Sequence, residues 1–185
     1  MLSLSLLGQV RMAYNKKGMM GAFEDFSKAY DRVDRHKLWR VLEAGGVTGR
    51  TLTFLEATYE SISCEVRIGK ELSEPFEVLR GLRQGCVLSP LLFSLYINSL
   101  VEKLRSREVG VRCRGKLIPG LLYADDMILL ADNEEMLKDG LNVLEEWCRQ
   151  WGVKINVPKC AIMHFRRKGV TRARGVFKIE GKKSS

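Results

Sequence analysis

The chain has 185 residues, 45% of them hydrophobic, and 31 Lys+Arg against 22 Asp+Glu for a formal charge of +9. That length and apolar content support the core of one domain and exclude disorder of the whole chain. Five cysteines, sparse and odd in number, exclude a disulfide-built miniprotein and suit a reducing compartment.

Along the chain, Phe23 to Phe26 reads as a short strand, and residues 34–44 read as a helix capped by Asp34 and stopped at Gly45-Gly46. A second helix is predicted over Thr51 to Glu60. Cys64, Val66 and Ile68 alternate with polar partners ahead of a Gly69-Lys70 turn, and Phe76 and Val78 complete a hairpin. Ser89-Pro90 reads as a cap and first-turn proline of a helix reaching about Leu104. Val109, Val111 and Cys113 alternate into a turn at Gly115. Leu121 to Leu130 reads as strand, turn and strand, with a pair of acids between two apolar runs. A helix over Glu134 to Gln150, an alternating strand at Val153, Ile155 and Val157, and a strand at Ala161 to Phe165 follow. The expected fold is an α/β sandwich, helices on one face of a mostly antiparallel sheet.

Charge is unevenly placed. Residues 149–185 hold eleven basic side chains and one acid, Glu180, whereas the preceding 148 residues sum to −1. A tail of +10 fits a polyanion such as a nucleic-acid backbone, or a solvated surface. The longest uncharged run, Gln84 to Val101, has 18 residues and includes Ser89, Pro90, Ser94 and Asn98, too short and polar to span a bilayer. The Met1-to-Leu7 stretch lacks a basic flank and a cleavage site, so it reads as a strand or a ragged start. Cys148, Cys160 and His164 could be read as metal ligands, but no closely spaced cysteine pair accompanies them, and Cys148 fits the apolar face of a helix.

Asp125 and Asp126 are the most informative residues. Adjacent carboxylates within apolar strands repel each other and oppose strand formation. A surface turn could hold both. Alternatively they could serve Mg²⁺ with a third carboxylate, for which Asp25 at the end of the other short strand is the best candidate. Alternation puts Asp25 on the face shared with Phe23, opposite Glu24 and Phe26. Three such carboxylates could hold two Mg²⁺, which points to phosphoryl or nucleotidyl transfer.

Phe23-Glu-Asp-Phe-Ser-Lys-Ala-Tyr-Asp31 resembles motif A of reverse transcriptases, and Arg83-Gln-Gly-Cys-Val-Leu-Ser-Pro90 their motif B. Tyr123-Ala-Asp-Asp126 resembles motif C and Trp151-Gly-Val-Lys-Ile-Asn-Val-Pro-Lys159 motif D. In this order they resemble the reverse transcriptase of non-LTR, LINE-type retrotransposons. The resemblance implies an α+β polymerase palm over residues 21–165, with 1–20 a remnant of the fingers or a ragged start. Residues 166–185 would be a basic segment ending before a thumb. It implies RNA-directed DNA synthesis with two Mg²⁺, Mn²⁺ able to substitute, and RNA template, DNA primer and dNTP as partners. A nuclear location follows from the same resemblance, and no membrane is involved.

Carried over by position, Asp25, Asp125 and Asp126 would be the metal ligands. Tyr30 would gate the incoming sugar, though core packing is an equal use for it. Gln84 and Gly85 would touch nucleotide and template, and Arg83 a phosphate. Lys159, or else Lys154, would protonate or neutralise the leaving pyrophosphate, while Asp31 would cap the following helix. Glu24 stands where the family usually has an apolar residue, and its neighbours point it into helix packing at a cost of several kcal/mol if unpaired. Two other readings remain open: a non-catalytic nucleic-acid-binding fragment of a decayed element, and an RNA-directed RNA polymerase palm.

Overall fold

Met19–Asp25 forms β1, which begins earlier than predicted because Met19, Met20 and Ala22 are all buried. The structure, a computed structural model, describes residues 18–113, 115–165, 177–179 and 182–183. A 3₁₀ turn at Tyr30–Arg32 leads into α1 (Arg35–Ala44) and α2 (Gly49–Tyr59). The Asp34 side chain caps α1 by accepting from the Lys37 N–H at 3.2 Å, as the sequence predicts. Asp31 has no part in that cap.

The predicted hairpin forms as four two-residue strands, β2 (Ser63–Cys64), β3 (Arg67–Ile68), β4 (Glu71–Leu72) and β5 (Phe76–Glu77). β2 pairs with β5 and β3 with β4. In the gap, Ser73 donates its N–H to Val66 O and accepts the Val66 N–H on Oγ, both at 2.9 Å. α3 spans Ser89–Ser106. Ser89 lies inside its first turn instead of capping it, because the Leu92 N–H already bonds Leu88 O at 2.9 Å, and the Ser89 hydroxyl donates to Arg83 O at 2.6 Å.

Then come β6 (Val111–Cys113), β7 (Lys116–Ile118), β8 (Gly120–Tyr123), β9 (Asp126–Ala131) and α4 (Glu134–Trp151). A 3₁₀ turn at Val157–Lys159 precedes β10 (Ala161–Phe165). The alternating strand expected at Val153 to Val157 does not form: only Ile155 pairs, as an isolated bridge with Phe26. Pro158 in the following turn has no N–H to give to a ladder. Of the basic segment from residue 166, β11 (Lys178–Ile179) and β12 (Lys182–Lys183) pair antiparallel. Residues 1–17 and 166–176 lie outside the described residues.

The chain divides into two compact units, Tyr30–Tyr96 and the remainder, with the boundary falling within α3. In the remainder, a four-stranded antiparallel sheet has the order β10-β1-β9-β8. One face packs under α4, which buries Leu137, Leu141, Leu144 and Trp147, each burial contributing about 2 kcal/mol. Asn133 caps α4 through the Met136 N–H, and Gly152 ends it at φ 72°. Gly140 lets helix and strand close up: a Cβ there would lie 2.8 Å from Leu129 and 2.9 Å from Val109. The opposite face carries Met19, Ile128 and Leu130, packed with Val111 and Ile118 of the β6–β7 hairpin. The sheet is thus covered by a helix on one side and a hairpin on the other.

In the Tyr30–Tyr96 unit, Leu38, Leu42, Leu55, Tyr59, Phe93 and Tyr96 are buried. The Arg35 guanidinium donates to the carbonyls of Gly81, Tyr59 and Arg80 at 2.9, 3.1 and 3.2 Å, fixing the loop after β5. Gly81 has φ 87°, and a Cβ there would sit 2.8 Å from Asp31 Cα, so the position admits only glycine. Among the described residues, no helix is long and apolar enough to cross a membrane.

Candidate active site

The antiparallel register of β1 and β9 sets Asp25, the last residue of β1, directly opposite Asp126, the first of β9. Tyr123 and Asp126 close the β8–β9 hairpin, so Ala124 and Asp125 form its two-residue turn. Ala124 takes φ 53°, a left-handed conformation that costs a non-glycine residue about 1 kcal/mol. Two adjacent acids in a continuous strand would point to opposite faces. The turn releases Asp125 from that alternation, and all three aspartates are part-exposed. Like charges opposite one another across a ladder are destabilising, so folding alone does not favour this arrangement.

The 3₁₀ turn at Val157–Lys159 completes the site. Between the pairs Phe23↔Ala161 and Phe26↔Ile155, β1 advances three residues while its partner advances six. The three extra residues loop out as that turn. Ser27 N donates to Lys154 O and Asn156 N to Asp25 O, both at 2.8 Å. The loop brings the Asn156 side-chain amide to Asp25 Oδ2 at 2.9 Å and Lys159 Nζ to the same oxygen at 3.5 Å. Lys159, singled out in the sequence, therefore reaches the site, whereas Lys154 contributes a backbone carbonyl. The role of Asn156 was not assigned from sequence; an Asn two residues before a proline marks a turn but not the carboxylate it binds.

Among the described residues, no three His, Cys, Asp or Glu side chains come together as a metal-holding group. The predicted trio is thus brought together in part, Asp25 facing Asp126 and Asp125 adjoining in the turn. The donors fit a hard cation: they are carboxylate oxygens, part-exposed, and both protein contacts of Asp25 fall on Oδ2. Mg²⁺ ordinarily takes one or two carboxylates and completes its shell with water and substrate phosphates, so a closed protein cage is not required.

Beside Asp25, Glu24 points into the packing under α4 with 3% exposure, and neither carboxylate oxygen has a hydrogen bond. Burial pushes its pKa up to about 7; the neighbouring Cys160 thiol draws it down, and Glu145 adds to the rise. The thiol itself donates to Asn156 O at 3.4 Å, and burial, then Glu24, push its pKa up to about 12. The sequence-based expectation of an unpaired buried acid is met.

The motif B loop belongs to the Tyr30–Tyr96 unit. Tyr30, Arg83, Gln84, Gly85, Cys86 and Ser89 edge a cavity of about 430 Å³. The Tyr30 ring stacks on Phe93 at 4.9 Å, so it packs and faces the cavity at once. Gln84 Nε2 donates to Asp31 Oδ1 at 3.0 Å, which is the use the fold makes of Asp31. Arg83 is exposed, its guanidinium 6.0 Å from the Tyr59 ring centre. Gly85 adopts φ 82°, with open space where a side chain would stand. Hydrogen bonding, first with the Leu88 backbone, draws the Cys86 thiol below its ordinary pKa; sequence reading gave Cys86 no role.

A family model described as reverse transcriptase (RNA-dependent DNA polymerase) matches residues 4–183. The chain is 27% identical over 165 residues to the Retrovirus-related Pol polyprotein from type-1 retrotransposable element R2 of Popillia japonica, covering 85% of this chain and 27% of that protein. It is 34% identical over 137 residues to the transposon TX1 uncharacterized 149 kDa protein of Xenopus laevis, covering 73% and 10%. It is similar in fold to telomerase from Candida albicans solved with a TWJ fragment of telomeric RNA, with TM-score 0.66 and 14% identity, over 98% of this chain and 32% of that one. The chain therefore spans about a quarter or less of these curated relatives. It has a mixed α/β fold with a central antiparallel sheet, and it belongs to the reverse transcriptase (RNA-dependent DNA polymerase) family, matching the Pol proteins of non-LTR retrotransposons.

Proposed function

We propose that the four-stranded sheet is a polymerase palm and that the chain extends a primer 3′-hydroxyl with dNTP on an RNA template. The observation that carries this reading is the register placing Asp25 against Asp126, with Asp125 in the adjoining turn. Asp25, Asp125 and Asp126 are the residues that would hold Mg²⁺. The chemistry supplied by the bound ions is activation of the primer hydroxyl and relief of charge on the leaving pyrophosphate.

The chain's own residues do the rest. Asn156 fixes the Asp25 carboxylate by a charge-assisted hydrogen bond. Lys159 Nζ, 66% exposed in its side chain, can leave Asp25 and deliver a proton or positive charge to pyrophosphate. The Tyr30 ring, braced by Phe93, presents a wall to C2′ of the incoming sugar and excludes a ribose hydroxyl. Gln84 and the side-chain-free face of Gly85 contact nucleotide and template, with Arg83 reaching a phosphate. The basic C-terminal segment holds backbone without reading bases, and the work is done in the nucleus, where chromosomal DNA supplies primers.

The test is dTTP incorporation on poly(rA)/oligo(dT) with Mg²⁺, beside an Asp125→Ala control matched in purity and circular dichroism. Incorporation by the parent and none by the control is the expected result. A folded parent that binds the duplex but incorporates nothing is a non-catalytic nucleic-acid-binding chain. Preference for ribonucleotides on the same template would make it an RNA polymerase.

A further inference from the structure

The stretch from Lys103 to Lys116 carries Lys103, Arg105, Arg107, Arg112, Arg114 and Lys116 against one acid, Glu108. The near-neutral balance of the first 148 residues hides this concentration. Two of these cations are already used, Lys103 on Glu146 at 3.1 Å and Arg112 on Glu108 at 3.3 Å. Arg105, near the end of α3, and Lys116, the first residue of β7, are exposed and pair with no carboxylate among the described residues. Both edge a cavity of about 700 Å³ completed by Cys113, Leu117 and Ile118.

The β6–β7 hairpin that forms one wall is not a loose arm. Val111 and Ile118 are cross-strand partners that pack into the core against Met19, Ile128 and Leu130. The cavity is therefore held by the sheet itself, with part-buried Leu117 and Ile118 as its apolar lining.

We infer that this cavity binds single-stranded polynucleotide, Arg105 and Lys116 each taking a phosphate and Leu117 and Ile118 meeting an unstacked base. Two unpaired cations call for an anion with more than one charge. An inorganic phosphate would leave the apolar lining unused, and its volume is far below that of a pocket in the range of organic ligands. A duplex keeps its bases stacked and offers only its backbone, whereas a single strand offers phosphates and apolar base faces together. The choice of polynucleotide among polyanions rests on the function proposed above; the binding itself needs none of the three aspartates.

The test measures fluorescence anisotropy of labelled oligo(U) with the full chain carrying Asp125→Ala, without dNTP, so that no outcome depends on polymerase activity. Arg105→Gln with Lys116→Gln should weaken binding about tenfold at 0.1 M salt and flatten the log–log salt dependence by about 1.4. Arg105→Lys with Lys116→Arg should retain parental affinity, separating loss of charge from loss of fold. Leu117→Ser should weaken oligo(U) and leave heparin binding unchanged. Unchanged affinity and slope in the Gln pair would overturn the site. Equal loss for an RNA duplex, or no effect of Leu117→Ser, would overturn its assignment to single strands.

Discussion

Asn156 holds Asp25 twice, donating its backbone N–H to the Asp25 carbonyl at 2.8 Å and its side-chain amide to Oδ2 at 2.9 Å. The two residues are 131 apart in sequence, and the contact exists only because three residues loop out between the bridge at Ile155 and β10. Hydrogen bonds to a charged group contribute roughly 1.5–3 kcal/mol. Asn156→Ala should therefore lower the unfolding free energy by about 1–2 kcal/mol, and dNTP incorporation by about tenfold or more through a misplaced carboxylate. Asn156→Asp, which sets one carboxylate against another, should be worse on both counts. Denaturant unfolding and steady-state incorporation on the same preparations check this.

Asp126 stands where one charge meets another of the same sign. Facing Asp25 across the ladder, it contributes repulsion on the scale of roughly 0.2–1 kcal/mol. Asp126→Asn should raise the midpoint of thermal unfolding slightly while reducing incorporation at least a hundredfold. A variant both less stable and less active would show that the pair serves the fold instead.

Glu24 sets a pH dependence whose sign is fixed. Its carboxyl titrates near 4.5 when unfolded and about 7 when folded. Below about pH 4.5 both states are protonated and the contribution is complete. As pH rises, the unfolded state ionises first, and stability falls until the folded group also ionises near 7. The loss is on the order of 3 kcal/mol. Glu24→Gln should flatten this decline between pH 5 and 8, and the isosteric swap leaves the neighbouring Asp25 backbone in place. Urea unfolding across that range reads the slope directly.

In the function proposed above, Tyr30 would have two duties, which substitutions separate. Tyr30→Phe keeps the stack on Phe93 and should leave selectivity between dNTP and rNTP unchanged. Tyr30→Val keeps some apolar burial but removes the wall, and should raise rNTP use relative to dNTP by roughly tenfold to a hundredfold, as loss of a steric exclusion worth about 1–3 kcal/mol implies. Competition between dUTP and UTP on the same template measures it.

The reverse transcriptase family and most local elements were legible in the amino-acid sequence. Asp34 and the two glycines bound α1, the period of Leu137, Leu141 and Leu144 defines α4, and apolar runs around Asp125 and Asp126 define a hairpin. Each rests on residues close together in the chain, where hydrogen bonding and side-chain periodicity act at short range. Even the burial of Glu24 followed from alternation against Phe23 and Asp25. The tertiary structure decided which distant residues meet. Val153 to Val157 alternates like a strand, yet its backbone is spent on β1 at one point and on a 3₁₀ turn at Pro158, and that turn carries Asn156 and Lys159 to Asp25. The Asp25–Asp126 register, the pairing of Gln84 with Asp31, and the cavity left by Arg105 and Lys116 arise in the same way. They depend on register and on which cations the fold has already paired, and neither is written in the spacing of residues along one strand or helix.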